Sequence, residues 1–150
     1  MTLVSTTSTI RCKTLISNLW QKKQSDDHWD ERVDEESDKA WNHLKQDLEG
    51  LSDIEFPRYS LSEGDQADLY LFCDASKLAY GFVAYAVQQG KSGFIYSKTK
   101  VAPVIKKSLP TLELLGVFLA LKNLSSMLST FKKVNIKNVF LATDSQVVLS

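Results

Sequence analysis

The chain has 150 residues, no formal net charge (18 Lys and Arg against 18 Asp and Glu) and 43% hydrophobic residues. That is about one domain's worth of chain, with enough apolar content for a core. Two cysteines, Cys12 and Cys73, make neither a disulfide framework nor a zinc set. No stretch approaches the roughly 20 apolar residues of a bilayer span, and the opening Met1-Thr-Leu-Val-Ser lacks the charged and apolar regions of a secretory leader. An intracellular protein without a membrane partner is expected.

In chain order, Leu15, Ile16, Leu19 and Trp20 fall at helical spacing, so an amphipathic helix is expected from about Cys12. An acidic run follows, from Asp26 and Asp27 through Asp30, Glu31, Asp34, Glu35, Glu36 and Asp38; the simplest reading is a solvated linker or helix start. Trp41, Leu44, Leu48 and Leu51 form a second helical stripe, with acids suited to its first turn and Gly50 to its end. Phe56-Pro57-Arg58 breaks the pattern. The spacing thus predicts a helical segment over 1–60 and a separate domain over 66–150.

Beyond that break the period changes. Leu69, Leu71 and Cys73 alternate with Tyr70 and Phe72, as in a strand buried on both faces. Tyr80 to Val87 is a second strand, Gln88-Gln-Gly-Lys-Ser92 a hairpin turn, and Phe94 to Lys100 a third strand. Ser108 suits a helix N-cap, with Pro110 tolerated in the first turn. Leu112 to Leu128 is apolar nearly all round, which implies a helix packed on a sheet. Val134 to Thr143 returns to strand, and Asp144-Ser-Gln opens another helix. The order is βββαβα, an α/β fold with a mixed sheet.

Charge is the best guide to function. Residues 1–74 carry 16 acids against 8 bases, whereas residues 76–150 carry 10 lysines and only two acids, Glu113 and Asp144. These two, with Asp74, sit beside hydrophobic runs, where a carboxylate is costly unless paired or metal-bound. Taken singly, an Asp at a strand end is an ordinary cap. If the first and fourth strands are adjacent and parallel, however, Asp74 and Asp144 reach one edge of the sheet, where open α/β folds bind ligands. Glu113, in the first turn of the helix across that sheet, reaches the same edge. Three carboxylates repel one another unless a cation neutralises them. Mg²⁺ suits oxygen ligands and keeps waters that a phosphate can displace, and two ions can clamp both oxygens of a phosphodiester. The implied reaction is metal-assisted phosphodiester hydrolysis. An actin-like or sugar-kinase ATPase shares the element order but needs Gly-rich phosphate loops, and Asp74-Ala-Ser-Lys-Leu-Ala79 offers none.

Four ordered motifs carry a family resemblance: Leu71-Phe-Cys-Asp-Ala-Ser-Lys-Leu-Ala-Tyr-Gly81, Ser97-Lys-Thr-Lys-Val-Ala-Pro103, Leu109-Pro-Thr-Leu-Glu-Leu-Leu-Gly116 and Asp144-Ser-Gln-Val-Val-Leu-Ser150. Together they resemble the ribonuclease H-like region of BEL/Pao-type LTR retrotransposon polyproteins. Leu19-Trp20, Trp29-Asp30, Trp41 and Phe56-Pro57-Arg58 are similar to the helical connection that joins reverse transcriptase to ribonuclease H there. The resemblance implies a ribonuclease H fold that cleaves the RNA strand of RNA–DNA hybrids during reverse transcription. It implies Asp74, Glu113 and Asp144 as catalytic ligands of Mg²⁺ or Mn²⁺, two ions in a complete site, and the reverse transcriptase portion as a partner. Lys98, Lys100, Lys106 and Lys107 are candidates for phosphate contact. The family's fourth acidic ligand, mobile histidine and fifth strand have no counterpart up to Ser150, and neither His28 nor His43 can replace the histidine by sequence order. The chain alone is therefore expected to be weak or inactive; the alternative is a non-catalytic structural or nucleic-acid-binding remnant.

Overall fold

A computed structural model describes residues 2–22, 30–50 and 61–145. The chain divides into two compact units, Met1–Phe56 and Pro57–Ser150. Asp26 and Asp27, Leu51, the Phe56-Pro57-Arg58 break and the helix expected after Asp144 lie outside the described residues.

The first unit is a pair of helices, α1 (Thr2–Lys22) and α2 (Glu35–Glu49). Helix α1 begins ten residues before Cys12, because the Thr- and Ser-rich start carries no apolar period to announce it. Arg11 pairs with Asp47, and Lys22 Nζ lies 3.2 Å from Asp34 Oδ2, so the helices run antiparallel. Asp34 is not in the first turn but is the N-cap: its Oδ1 accepts from Ser37 N–H at 3.0 Å and its Oδ2 from Ser37 Oγ at 2.8 Å. Gly50 is the C-cap. Among the described residues of the second stripe only Leu44 is buried; Trp41 and Leu48 stay exposed.

The second unit is a four-stranded mixed sheet in the order β3-β2-β1-β4, built from β1 (Gln66–Ala75), β2 (Ala79–Gln88), β3 (Lys91–Val101) and β4 (Asn135–Thr143). The first three strands form an antiparallel meander. Between β2 and β3, Gln89 (φ 52°) and Gly90 (φ 73°) both take positive φ, the requirement of a type I′ turn, whose twist matches that of the flanking strands. Between β1 and β2, Ser76 Oγ accepts from Ala79 N–H at 3.2 Å and Ser76 N–H donates to Ala79 O at 2.7 Å. The buried Gln88 amide clamps the segment before β1, donating to Ser62 O at 3.1 Å and accepting from Ser62 N–H at 2.7 Å.

Helix α3 (Leu109–Thr130) carries the chain across the sheet so that β4 can pair in parallel with β1. Ser108 is its N-cap, with Pro110 in the first turn. Its inner face, Leu112, Gly116, Val117, Leu119, Ala120 and Met127, packs on β1 and β2 over Leu69, Leu71, Cys73, Phe82, Ala84 and Ala86. Burying a leucine such as Leu69 or Leu71 stabilises the fold by about 1.5–3 kcal/mol. By length and composition α3 could cross a bilayer, which corrects the expectation that no stretch approaches such a span; its inner face packed on the sheet is that of a core helix.

The first strand is not buried on both faces. Phe72 is 46% exposed, and Tyr70, Tyr85, Phe94 and Phe140 join it on the face opposite α3. Tyr70 and Phe140 stack with centroids 4.8 Å apart, and Tyr85 makes edge contacts with Phe72 and Phe94. The outer face of α3 also keeps Leu114, Phe118 and Leu121 exposed, so its all-round apolar character does not mean all-round burial.

Two expectations follow. A Cβ at Gly81 would stand 2.7 Å from Lys98 O, whereas one at Gly116 would make a 3.4 Å contact with Asp74 O. Gly81→Ala should therefore cost about 1–3 kcal/mol. Gly116→Ala should be tolerated, its gain in helix propensity of up to about 1 kcal/mol offsetting the contact; urea unfolding midpoints separate the two. The second concerns Asp34, whose carboxyl is held down to about 2, chiefly by the Ser37 N–H and then its hydroxyl, with Lys22 adding. A carboxyl lowered on folding stabilises above its ordinary range near 3.8 and loses that contribution as pH falls towards 2. Asp34→Asn keeps a capping oxygen without the charge. An acid titration followed by circular dichroism should show less helix loss between about pH 4 and pH 2 in the variant than in the parent chain.

Candidate functional site

Strand β1 ends one residue past Asp74, and β4 ends one residue before Asp144. The parallel register pairs Phe72 with Ala142 and Cys73 with Thr143, so the two aspartates are the next positions on adjacent strands at one edge of the sheet. The adjacency on which the sequence argument depended is present. Both side chains are exposed, and Asp74 Oδ1 accepts from the Ala75 N–H at 2.7 Å.

Glu113 comes from α3. Because the helix starts at Leu109, Glu113 lies in its second turn and not its first. One turn further on, at Gly116, the helix lies over Asp74 O and the Gly81 peptide, where a Cβ would make ordinary contact with both. Gly81 is the register partner of Asp74 in β2. Glu113 is half-buried, and its Oε2 accepts from Ser145 Oγ at 2.5 Å. Ser145 is 2% exposed, and its N–H donates to Thr143 Oγ1 at 3.2 Å. The chain leaving β4 is thereby tied to α3 at the residue after Asp144.

By the two-residue period of a strand, Asp74 belongs to the Tyr70 and Phe72 face, opposite α3. Glu113 approaches from the α3 side. Among the described residues, no group of three His, Cys, Asp or Glu side chains stands close enough to hold a metal ion. The backbone thus delivers three acidic positions to the carboxyl edge, one pair through strand register and the third through Ser145, without closing a ligand set.

Cys73 is buried beneath α3, and burial pushes its thiol up to about 11. It is a core residue and not a nucleophile, as its apolar setting implies. Ser76 organises the β1–β2 turn, and Thr111 shares a 2.8 Å hydrogen bond with Ser108 at the helix cap. The lysines divide. Lys98 is half-buried and donates to Asn123 Oδ1 at 3.1 Å, a tie between β3 and α3. Lys100 on β3, and Lys106 and Lys107 in the loop before α3, are exposed.

Ser145 is the residue that motif reading passed over. It stood in the Asp144-Ser-Gln motif, but its partner lies 32 positions away in α3 and leaves no mark in local spacing.

The chain matches the family model described as the Pao retrotransposon-like RNaseH-like domain over residues 2–145. No curated protein matches it. The mixed sheet with its parallel β1–β4 pair is consistent with a ribonuclease H-like fold. Families of this kind generally use divalent metals, which accords with an all-oxygen set of acidic positions. Since the match runs through the two helices of the first unit as well as the whole sheet, the chain belongs, over nearly its full length, to the family of Pao retrotransposon-like RNaseH-like domains.

Proposed function

We propose that this chain is the connection and ribonuclease H-like region of a retrotransposon polyprotein. Its sheet edge would hydrolyse the RNA strand of an RNA–DNA hybrid inside the cell, alongside a reverse transcriptase portion. The observation that carries the proposal is the register of β1 with β4, which puts Asp74 and Asp144 side by side at the carboxyl edge. The Ser145 bond to Glu113 supports it by joining the third acid to that edge.

The donor chemistry fits a hard divalent cation: carboxylate oxygens, two of them on exposed side chains, and no thiolate or imidazole among them. Asp74, Glu113 and Asp144 would hold Mg²⁺ or Mn²⁺, and two ions in a complete site would activate a water and stabilise the leaving oxygen. Asp74 and Asp144 supply the charge that faces solvent. Glu113, half-buried and hydrogen-bonded, supplies the fixed point of the set. Lys100, Lys106 and Lys107 would draw the phosphate backbone towards this edge. Lys98, held by Asn123, fits a structural tie better than a phosphate contact. RNA would be distinguished by its 2′-hydroxyls in the shallow minor groove.

A second reading, a non-catalytic remnant that binds nucleic acid, is favoured by one observation: the described acidic groups do not close on a common point. A labelled RNA–DNA hybrid separates the two. Slow cutting that needs Mg²⁺ or Mn²⁺ and disappears in Asp74→Asn is the expected result; binding without cutting, by folded protein, would leave the remnant. Hybrid affinity should also fall in the Lys106→Gln, Lys107→Gln double variant. Its salt dependence should flatten by up to about two ion equivalents if both lysines contact phosphates. An unchanged slope would return them to the solvated surface.

A further inference from the structure

The sheet has two edges, and they are built differently. Strand β3 closes one, with Lys91, Lys98 and Lys100 along its length, a glycine at Gly93 and a register shift opposite Ala84 and Tyr85. Charges and irregularities of this kind keep a further strand from adding to an edge. Strand β4 closes the other edge and, among the described residues, pairs only with β1. Its one charged residue, Lys137, is the position that the register passes over between Ile136 and Asn138. From there the strand reads Asn138-Val-Phe-Leu-Ala-Thr143, with no charge, no proline and no glycine. Val139 and Phe140, successive and therefore on opposite faces, are 40% and 44% exposed. A regular, uncharged edge with spare N–H and C=O groups is a template for strand addition.

The strand is also complementary to itself. Two copies of β4 related by a twofold axis perpendicular to the sheet run antiparallel, and an axis centred on Phe140 sets Phe140 against its own copy. Val139 then faces Leu141, Asn138 faces Ala142, and Lys137 faces Thr143. No like charges meet, and an aromatic pair directly across two strands is among the favourable ones. Such an axis keeps each face of the sheet continuous. The stack of Tyr70 on Phe140, with centroids 4.8 Å apart, would run on into the same stack of the second copy. We propose that a second copy of this chain adds at β4, antiparallel and centred on Phe140, and joins the two four-stranded sheets into one. The proposal goes beyond the catalytic reading and does not depend on it. A single strand pair is a small interface beside the ~1,600 Å² of a standard one, so the dimer should form reversibly and depend on concentration.

The test is sedimentation equilibrium of the full chain over a range of concentrations, with circular dichroism on every sample. The parent should move with concentration from 16.9 kDa towards twice that mass. Phe140→Lys sets two like charges directly across the axis and should abolish the shift. Phe94→Lys on β3 and Phe118→Lys on the outer face of α3 put the same charge on exposed aromatics away from this edge, and should leave it. A parent that stays monomeric, or a dimer that survives Phe140→Lys, would overturn the proposal. Loss of the dimer in either of the other two variants would move the interface to a face and overturn it as well. Should Phe140→Lys fail to fold, cross-linking reads the register instead. Mild oxidation of Phe140→Cys should join position 140 to itself, as mapped by mass spectrometry of the linked peptide. Ala142→Cys should stay unlinked at position 142, because its copies stand four residues apart, roughly 13 Å along the strands, beyond the reach of a disulfide. Equal linking at both positions, or none at position 140, would overturn the pairing.

Discussion

The approach of α3 to the sheet is the constraint on which the rest of the second unit depends. At Gly116 the helix lies against backbone and not against side chains: a Cβ there would already touch the carbonyl of Asp74 and lie 3.5 Å from that of Gly81. Ala84 and Ala86 on β2 and Ala120 on the helix keep the rest of the crossing small. A helix held this close can return the chain to the far side of β1 within a short connection, and that return makes β4 parallel to β1 and adjacent to it. The same contact places Glu113, one turn earlier, over the strand ends. Fold and candidate site therefore share one origin, since the crossing that packs α3 on the sheet also carries an acidic helix position towards two acidic strand ends.

Much of this was legible in the amino acids because it rests on local rules. The alternation through Leu69, Leu71 and Cys73 marked β1, Gln89-Gly90 marked the hairpin turn between β2 and β3, and Ser108 with Pro110 marked the start of α3. The parallel pairing could be stated only conditionally, because adjacency is a property of the crossover. Other features were not legible. The polar opening of α1 has no period to detect, and the place of Glu113 on its helix depends on where the cap falls to within a single turn. Apolar character predicted more burial than the fold provides: Phe72 and Phe118 read as core, yet each lies on a face that no described element covers. Hydrophobicity reports a preference for burial; coverage is decided by what packs there. Ser145 escaped for the opposite reason, since a serine is unremarkable until its partner across the fold is known.

The division of charge along the chain becomes a division of labour. In the first unit, acids are spent on local structure: Asp34 caps α2, Glu35 pairs with Lys39 along the helix, and Asp47 joins α2 to α1. Pairs this exposed contribute little each, but they fix direction, because only the antiparallel arrangement satisfies both Arg11–Asp47 and Lys22–Asp34. In the second unit the pattern inverts. Lys98 and Lys133 are engaged, by Asn123 and Glu63, while Lys100, Lys106 and Lys107 remain at the surface around the strand ends. A chain of zero net charge thus divides into an acid-rich first unit and a lysine-rich second one.

Cys73 has a consequence of another kind. Its sulfur lies under α3, next in sequence to Asp74, and burial keeps it protonated and inert at neutral pH. Thiol chemistry at that position requires the helix to lift from the strands, so the rate at which Cys73 is alkylated measures the opening of this interface and not the fraying of the chain ends. Cys12, half-buried on α1, serves as an internal reference in the same sample. With two cysteines placed this way, the native chain carries its own clock for the motion that would separate Glu113 from the strand ends.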